Sequence, residues 1–239
     1  MSASPTFDRR LWYGLPLAML AALLVFEPSR LDFAISNLFY VQGQGFIGRH
    51  NDFLEDVLHD RAKQLVIAVG VLAIIGFLLS LLPTRLRPLR RTLGYLVLAM
   101  ALSTSFVTPL KKITQMHCPW SLEEYGGVEH FSPLLGPRAV SVEKPGNCWP
   151  GGHAAAGFAL FALFFALRDR CPRSAKVALV TAMTLGTLFS LVRMLQGAHF
   201  LSHNLWTAAL CWLIGLGLYD LMLYQPASSP VSDPVADPS

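Results

Sequence analysis

The chain has 239 residues, of which 53% are hydrophobic and only 14% charged. A soluble domain carries about 25% charged residues, so an ordinary water-exposed globule is excluded. The net charge of +4 sits mainly in short segments between apolar runs; that pattern fits attraction to anionic lipid heads better than a nucleic-acid surface.

A membrane-spanning helix needs about 20 mostly apolar residues. Six stretches meet or approach that length: 11–26, 64–82, 92–110, 153–167, 177–195 and 205–224. Lipid offers no hydrogen-bond partner to a backbone, so such runs must be helical. They also lack the alternation of barrel strands. The expected fold is all-α: a polytopic membrane bundle of six transmembrane helices, forming one domain over 1–225.

Arg9 and Arg10 precede the first run, which no persuasive cleavage site follows, so it reads as an uncleaved anchor. The segment 27–63 contains a piece at 52–63 that interleaves acidic and apolar residues, as a surface-lying amphipathic helix would. Arg85, Arg87, Arg90 and Arg91 follow the second run, and Arg168, Arg170, Arg173 and Lys176 follow the fourth. With six spans these basic segments share one side with both termini, and that side is the cytoplasm. The tail 226–239, rich in Pro, Ser and Asp, is expected to be disordered.

The residues with chemistry lie in the other loops. The Gly- and Pro-rich segment 109–150 carries Lys111, Lys112, His117, Cys118, Pro119, three glutamates (Glu123, Glu124 and Glu129) and Arg138. It ends in Cys148-Trp149-Pro150-Gly151-Gly152-His153, at the start of the fourth run. Arg193, His199 and His203 surround the turn between the last two runs. On an oxidising face Cys118 and Cys148 would form a disulfide over the site; otherwise they are two free thiols.

Phosphoryl transfer needs cations around the phosphate oxygens, a nucleophile and an acid for the leaving oxygen. Arg193 suits bidentate phosphate binding, and Lys111 adds a point charge. His199 and His153 suit the nucleophile and acid tasks. Gly151 and Gly152 allow close backbone approach, and the helix start beside them aims N–H groups outward. Taken singly, each histidine is more commonly an interfacial residue and each lysine a membrane anchor. Arg193 is the strongest individual case, because a charge at the end of an apolar span needs a partner or a function. Trp120, Trp149 and Trp206 read as interfacial belt residues.

The order and spacing of these clusters resemble the type 2 phosphatidic acid phosphatase superfamily, which also contains the vanadium haloperoxidases. Its pattern is K-x6-R-P, then P-S-G-H, then S-R-x5-H-x3-D. The resemblance implies Lys111 as the motif lysine, with Pro119 at the proline. It implies His153 as general acid, Arg193 as phosphate ligand and His199 as the nucleophile that forms a phosphohistidine. It implies no cofactor and no metal. Four positions depart from the pattern: Cys118 stands for the arginine, Gly151 for the serine before the glycine, Val192 for the serine before Arg193, and His203 for the aspartate that orients the nucleophile. Arg138 is the expected substitute guanidinium, the Gly151 N–H the substitute donor, and His203, Asn204 or one of Glu123, Glu124 and Glu129 the substitute partner for His199.

The resemblance and the clusters together imply an integral phosphatase of lipid phosphates or pyrophosphates in a bacterial inner membrane, its site facing the periplasm and its termini cytoplasmic. The expected partners are a membrane lipid substrate and the bilayer, with no nucleic acid. The same residues also suit a lipid phosphotransferase, or a membrane protein that binds lipid phosphate without turning it over.

Overall fold

A computed structural model describes residues 8–49, 51 and 62–224. The expected surface helix at 52–63 lies almost wholly outside the described residues, and so does the tail 226–239. Among the described residues the fold is all-α apart from one small hairpin. The helices are α1 (Arg9–Val25), α2 (Ser29–Asn37), α3 (Ala62–Leu81), α4 (Arg90–Ser105), α5 (Val107–Thr114), α6 (Gly152–Phe158), α7 (Phe161–Leu167), α8 (Pro172–Leu195) and α9 (Leu201–Met222). Strands β1 (Tyr40–Val41) and β2 (Gly45–Phe46) pair antiparallel.

Four helical stretches are long and apolar enough to cross a membrane: Gln64–Leu81, Arg87–Ser121, Pro172–Leu195 and Leu201–Met222. The pair α1 and α2, bent by 90°, makes a fifth when taken together, and Gly152–Leu167 is apolar but shorter. The bundle is therefore helical, polytopic and apolar outside. On α3, Leu72 is 67% and Leu78 55% exposed, a surface that lipid covers and water would not.

Two of the expected runs are broken, each for a local reason. The run at 92–110 divides at Phe106 into α4 and α5, because Pro109 has no N–H to give the Ser105 carbonyl. The run at 153–167 divides between α6 and α7, where Leu160, Ala162 and Leu163 donate to the carbonyls of Gly157 (3.2 Å), Ala159 (3.1 Å) and Leu160 (2.9 Å). These are bonds to the third residue back, the tighter 3₁₀ spacing.

The core lies between α4, α6, α7, α8 and α9. Tyr95 is fully buried and donates to the Gly215 carbonyl at 2.9 Å. Trp12 stacks on Trp212 with centroids 5.5 Å apart. Helices α6 and α8 approach through glycines: a Cβ on Gly157 would sit 2.5 Å from the Gly186 nitrogen. Small residues that let backbones meet are the usual way to join helices in lipid, where burial from water provides no drive.

The two ends of the bundle differ. At one end Arg9 pairs with Asp220 at 2.6 Å, Arg168 lies 4.7 Å over the Trp12 ring and Arg170 reaches Thr92 at 3.5 Å. The basic segments predicted to share a side thus meet around the C-terminal end of α9. At the opposite end an apolar, largely aromatic cluster of Phe46, Leu122, Tyr125 and Phe200, flanked by Phe33 and Trp120, covers the start of α9. With 22 residues, α9 holds these ends about 33 Å apart.

Replacing Gly157 with valine forces a branched side chain against the α8 backbone. Overpacking of this kind costs about 1–3 kcal/mol. The expected result is a lower midpoint of thermal unfolding in detergent, with Gly157→Ala intermediate between valine and wild type.

Candidate active site

The site is built around the turn from α8 to α9. Gly197 enters it with φ +70, a left-handed conformation open to glycine at no steric cost. Within the turn the Gly197 N–H donates to the Met194 carbonyl (2.9 Å) and the Ala198 N–H to the Arg193 carbonyl (2.8 Å). Two distant segments then fasten it. Trp120 N–H donates to the Gly197 carbonyl and Gly48 N–H to the Leu195 carbonyl, each at 2.9 Å. The start of α9 is held from the other side by Asp32 of α2. Its carboxylate accepts from the Ser202 N–H at 2.8 Å and from the Ser202 hydroxyl.

His199 and His203 leave this turn buried, at 3% and 1% exposure, with ring centroids 5.8 Å apart. Arg193 occupies the last turn of α8, donates to Gln196 Oε1 at 2.8 Å and lies 5.6 Å over the Trp120 ring. Lys111 comes from α5; its Nζ would lie 4.0 Å from a Cβ on Gly152, which opens α6 beside His153. Burial lowers the His199 pKa well below the ordinary imidazole value, and the neighbouring His203, Lys111, Arg193 and His153 push in the same direction. All four groups act on one imidazole. The structure therefore gathers Lys111, His153, Arg193, His199 and His203 at one end of the bundle.

Cys118 and Cys148 form a disulfide, with Cα atoms 5.2 Å apart. Cys148 Sγ lies 3.5 Å from His199 Nδ1. A disulfide sulfur has no proton to give, so the contact works only as a weak acceptance from a protonated Nδ1, and that tautomer leaves the Nε2 lone pair free.

Other sequence-predicted residues have different surroundings. Arg138 is exposed and donates to the carbonyls of Pro133 (2.6 Å) and Leu134 (2.8 Å) in its own loop. Among the described residues no contact ties it to the His199 cluster. The Gly151 N–H donates to Thr207 Oγ1 at 2.9 Å, and that hydroxyl donates to the His203 carbonyl at 2.8 Å. Asn204 Nδ2 donates to the Phe200 carbonyl at 3.1 Å, while its Oδ1 would lie 2.7 Å from a Cβ on Gly151. Glu129 accepts from the N–H groups of Val142 (2.9 Å) and Glu143 (3.0 Å), bonds that hold its carboxyl below the usual range. Sequence reasoning missed Asp32, Thr207 and Arg49. Arg49 places a second guanidinium 5.9 Å from the Trp120 ring. Its nearest sequence signal was a lone arginine in a long loop, which points to nothing.

Residues 92–226 match the PAP2 superfamily. The chain belongs to that superfamily. The matched region holds the whole His199 cluster, whereas Asp32 and Arg49 lie outside it. This PAP2 protein is also 26% identical, over 216 residues, to the lipid A 4'-phosphatase of Francisella tularensis subsp. novicida, covering 87% of this chain and 94% of the relative. No solved structure matches it.

The lowered pKa of His199 is testable. Cations nearby oppose its protonation, so removing one must raise its pKa. The His199 Cε1 proton, followed by NMR in detergent, should titrate below the ordinary imidazole value in wild type and at a higher pH in Lys111→Met.

Proposed function

We propose that this protein is an integral membrane phosphatase that removes phosphate from a lipid phosphate or pyrophosphate through a phosphohistidine on His199. One observation carries the reading: Lys111, Arg193, His153 and His203 gather around the buried His199 imidazole at one end of an apolar bundle. Membership of the PAP2 superfamily and the likeness to a lipid A 4'-phosphatase support it.

In this reading six spans cross the bilayer: α1, α3, α4 with α5, α6 with α7, α8 and α9. The basic end lies in the cytoplasm, and the site faces the periplasm. The lipid's chains stay in the bilayer while its phosphate reaches the histidines. Arg193 and Lys111 bind the phosphate oxygens and take up the charge of the transition state. His199 Nε2 attacks phosphorus in line, and the bond to the leaving oxygen breaks as His153 gives that oxygen a proton. His153, now neutral, takes a proton from water, whose oxygen attacks phosphorus and breaks the P–N bond. Inorganic phosphate leaves, and both imidazoles are restored. Cys148 Sγ and the packing of His203 hold the His199 ring where an aspartate stands in the family pattern.

Gly152 and Lys111 line the approach to phosphate in this reading; Gly151 acts as a spacer whose N–H fixes the α6 start to α9 through Thr207. Arg138 acts as a clip on its own loop rather than as a phosphate ligand.

The test is release of inorganic phosphate from a detergent-solubilised panel that includes lipid A, phosphatidic acid, phosphatidylglycerol phosphate and undecaprenyl pyrophosphate. At least one should be turned over by wild type. His153→Ala should lose about 10²–10⁴-fold, the range of general-acid catalysis. His199→Ala should fall to background and form no acid-labile phosphoprotein. Arg138→Ala should keep most of the activity. Hydrolysis unchanged in His199→Ala would overturn the assignment.

A further inference from the structure

Cys148, His199 and His203 each bring one metal-ligating atom into a common space, and all three atoms lie within 4.8 Å of one another. All three residues are buried. His203 Nδ1 is itself buried and has no hydrogen-bond partner among the described residues. In the oxidised chain the set is incomplete, because Cys148 is bonded to Cys118 and its sulfur bears no negative charge.

We propose that reduction of the Cys118–Cys148 disulfide turns this set into a binding site for zinc or a similar thiolate-seeking metal ion, and that the bound ion switches the catalytic histidine off. The redox step is two-electron. A dithiol reductant gives two electrons and two protons, the S–S bond breaks, Cys118 and Cys148 become thiols, and the reductant becomes a disulfide. Zinc then displaces the Cys148 proton to solvent and takes one thiolate and two neutral imidazoles, leaving its fourth position to water.

The ligand types and spacing fit. Zinc binds Cys sulfur at about 2.3 Å and His nitrogen at about 2.0–2.1 Å, almost always tetrahedrally in closed sites. Ligand atoms in such a site lie roughly 3.3–3.8 Å apart by that geometry. Cys148 Sγ and His199 Nδ1 are already 3.5 Å apart, and the 4.8 Å limit leaves His203 a shift of about an ångström, within the reach of a ring rotation.

The thiolate makes the site conditional. Lys111 and Arg193 stand close enough to act on His199, and both oppose a dication there. Two neutral imidazoles alone do not offset that repulsion, whereas a thiolate adds a negative charge at bonding distance. Opening the S–S bond need not displace Cys148, because its N–H donates to the Met116 carbonyl at 2.9 Å. The bridge is open to a reductant from the Cys118 side, where Cys118, His117 and Trp120 line an open cavity of about 560 Å³. The native disulfide is then a guard, keeping metal away from the imidazole that the reaction needs.

The inhibition arm rests on His199 being the nucleophile; the binding arm does not. The full-length protein in detergent is treated with a phosphine reductant, which is then removed, and titrated with zinc while bound metal and phosphate release are both measured. Cobalt serves as a second probe, since its thiolate complex has a charge-transfer absorption. Expected are one zinc per reduced chain with loss of activity reversed by a chelator, and neither effect in the oxidised chain. Cys118→Ser, which leaves the Cys148 thiol free, should behave as the reduced chain without any reductant. His203→Ala should weaken zinc at least tenfold, and Cys148→Ser should abolish the cobalt–thiolate band. The proposal is overturned if reduced wild type and Cys118→Ser both bind no stoichiometric zinc, if Cys148→Ser binds as tightly as Cys118→Ser, or if bound zinc leaves turnover unchanged. A protein that hydrolyses no lipid phosphate would defeat the phosphatase reading, and zinc stoichiometry would still decide this one.

Discussion

Everything at the histidine end of the bundle hangs on a short turn between two long helices. Helix α8 must stop, reverse and release His199 within 196–200, and a buried irregular backbone in lipid surroundings needs its polar groups satisfied by other parts of the chain. Trp120 and Gly48 supply hydrogen bonds to that turn, and Asp32 supplies two to the first residues of α9. Arg193 ends α8 just before this turn, His199 lies in it, and His203 opens α9 just after it. Anchoring the backbone and aiming the side chains are therefore one problem, met by a handful of bonds from segments distant in the sequence.

Charge and burial act together at this place. An imidazole deep in protein resists protonation because its charged form loses water, and nearby cations add to that resistance. The residues that would hold a phosphate thereby keep the proposed nucleophile in its reactive form before substrate arrives. In the proposed reaction, a phosphate bound among them would reverse the local sign of the field and favour a protonated acid for the leaving oxygen. The same group of cations can serve both states because they differ only in the presence of the anion.

Much of this was readable in the chain. Apolar runs and basic loops follow directly from lipid solvation and membrane charge, so the helical bundle and its asymmetric ends were legible. The cluster of Lys111, His153, Arg193 and His199 was legible from order and spacing, and the Cys118–Cys148 bridge from their common segment. What stayed hidden depends on contacts between segments far apart. Nothing near Gly151 says that its N–H faces Thr207, 56 residues on. Nothing near Arg138 says that its own loop curls back to take its donors. Asp32 lies 170 residues from Ser202, and no local pattern joins an acid on a short helix to a serine on a long one. The division of two apolar runs was half-visible: Pro109 announces one break, whereas no proline or similar signal announces the other between α6 and α7.

The carboxylate of Asp32 belongs to a part of the chain that the superfamily match does not cover. A boundary drawn by sequence likeness at residue 92 would cut away the group that receives the leading N–H of α9, along with the Gly48 bond to the end of α8. A trimmed fragment would keep every motif residue and lose the scaffolding that aims them. The scaffold that aims the motif residues thus reaches back to α2, well before the family match begins.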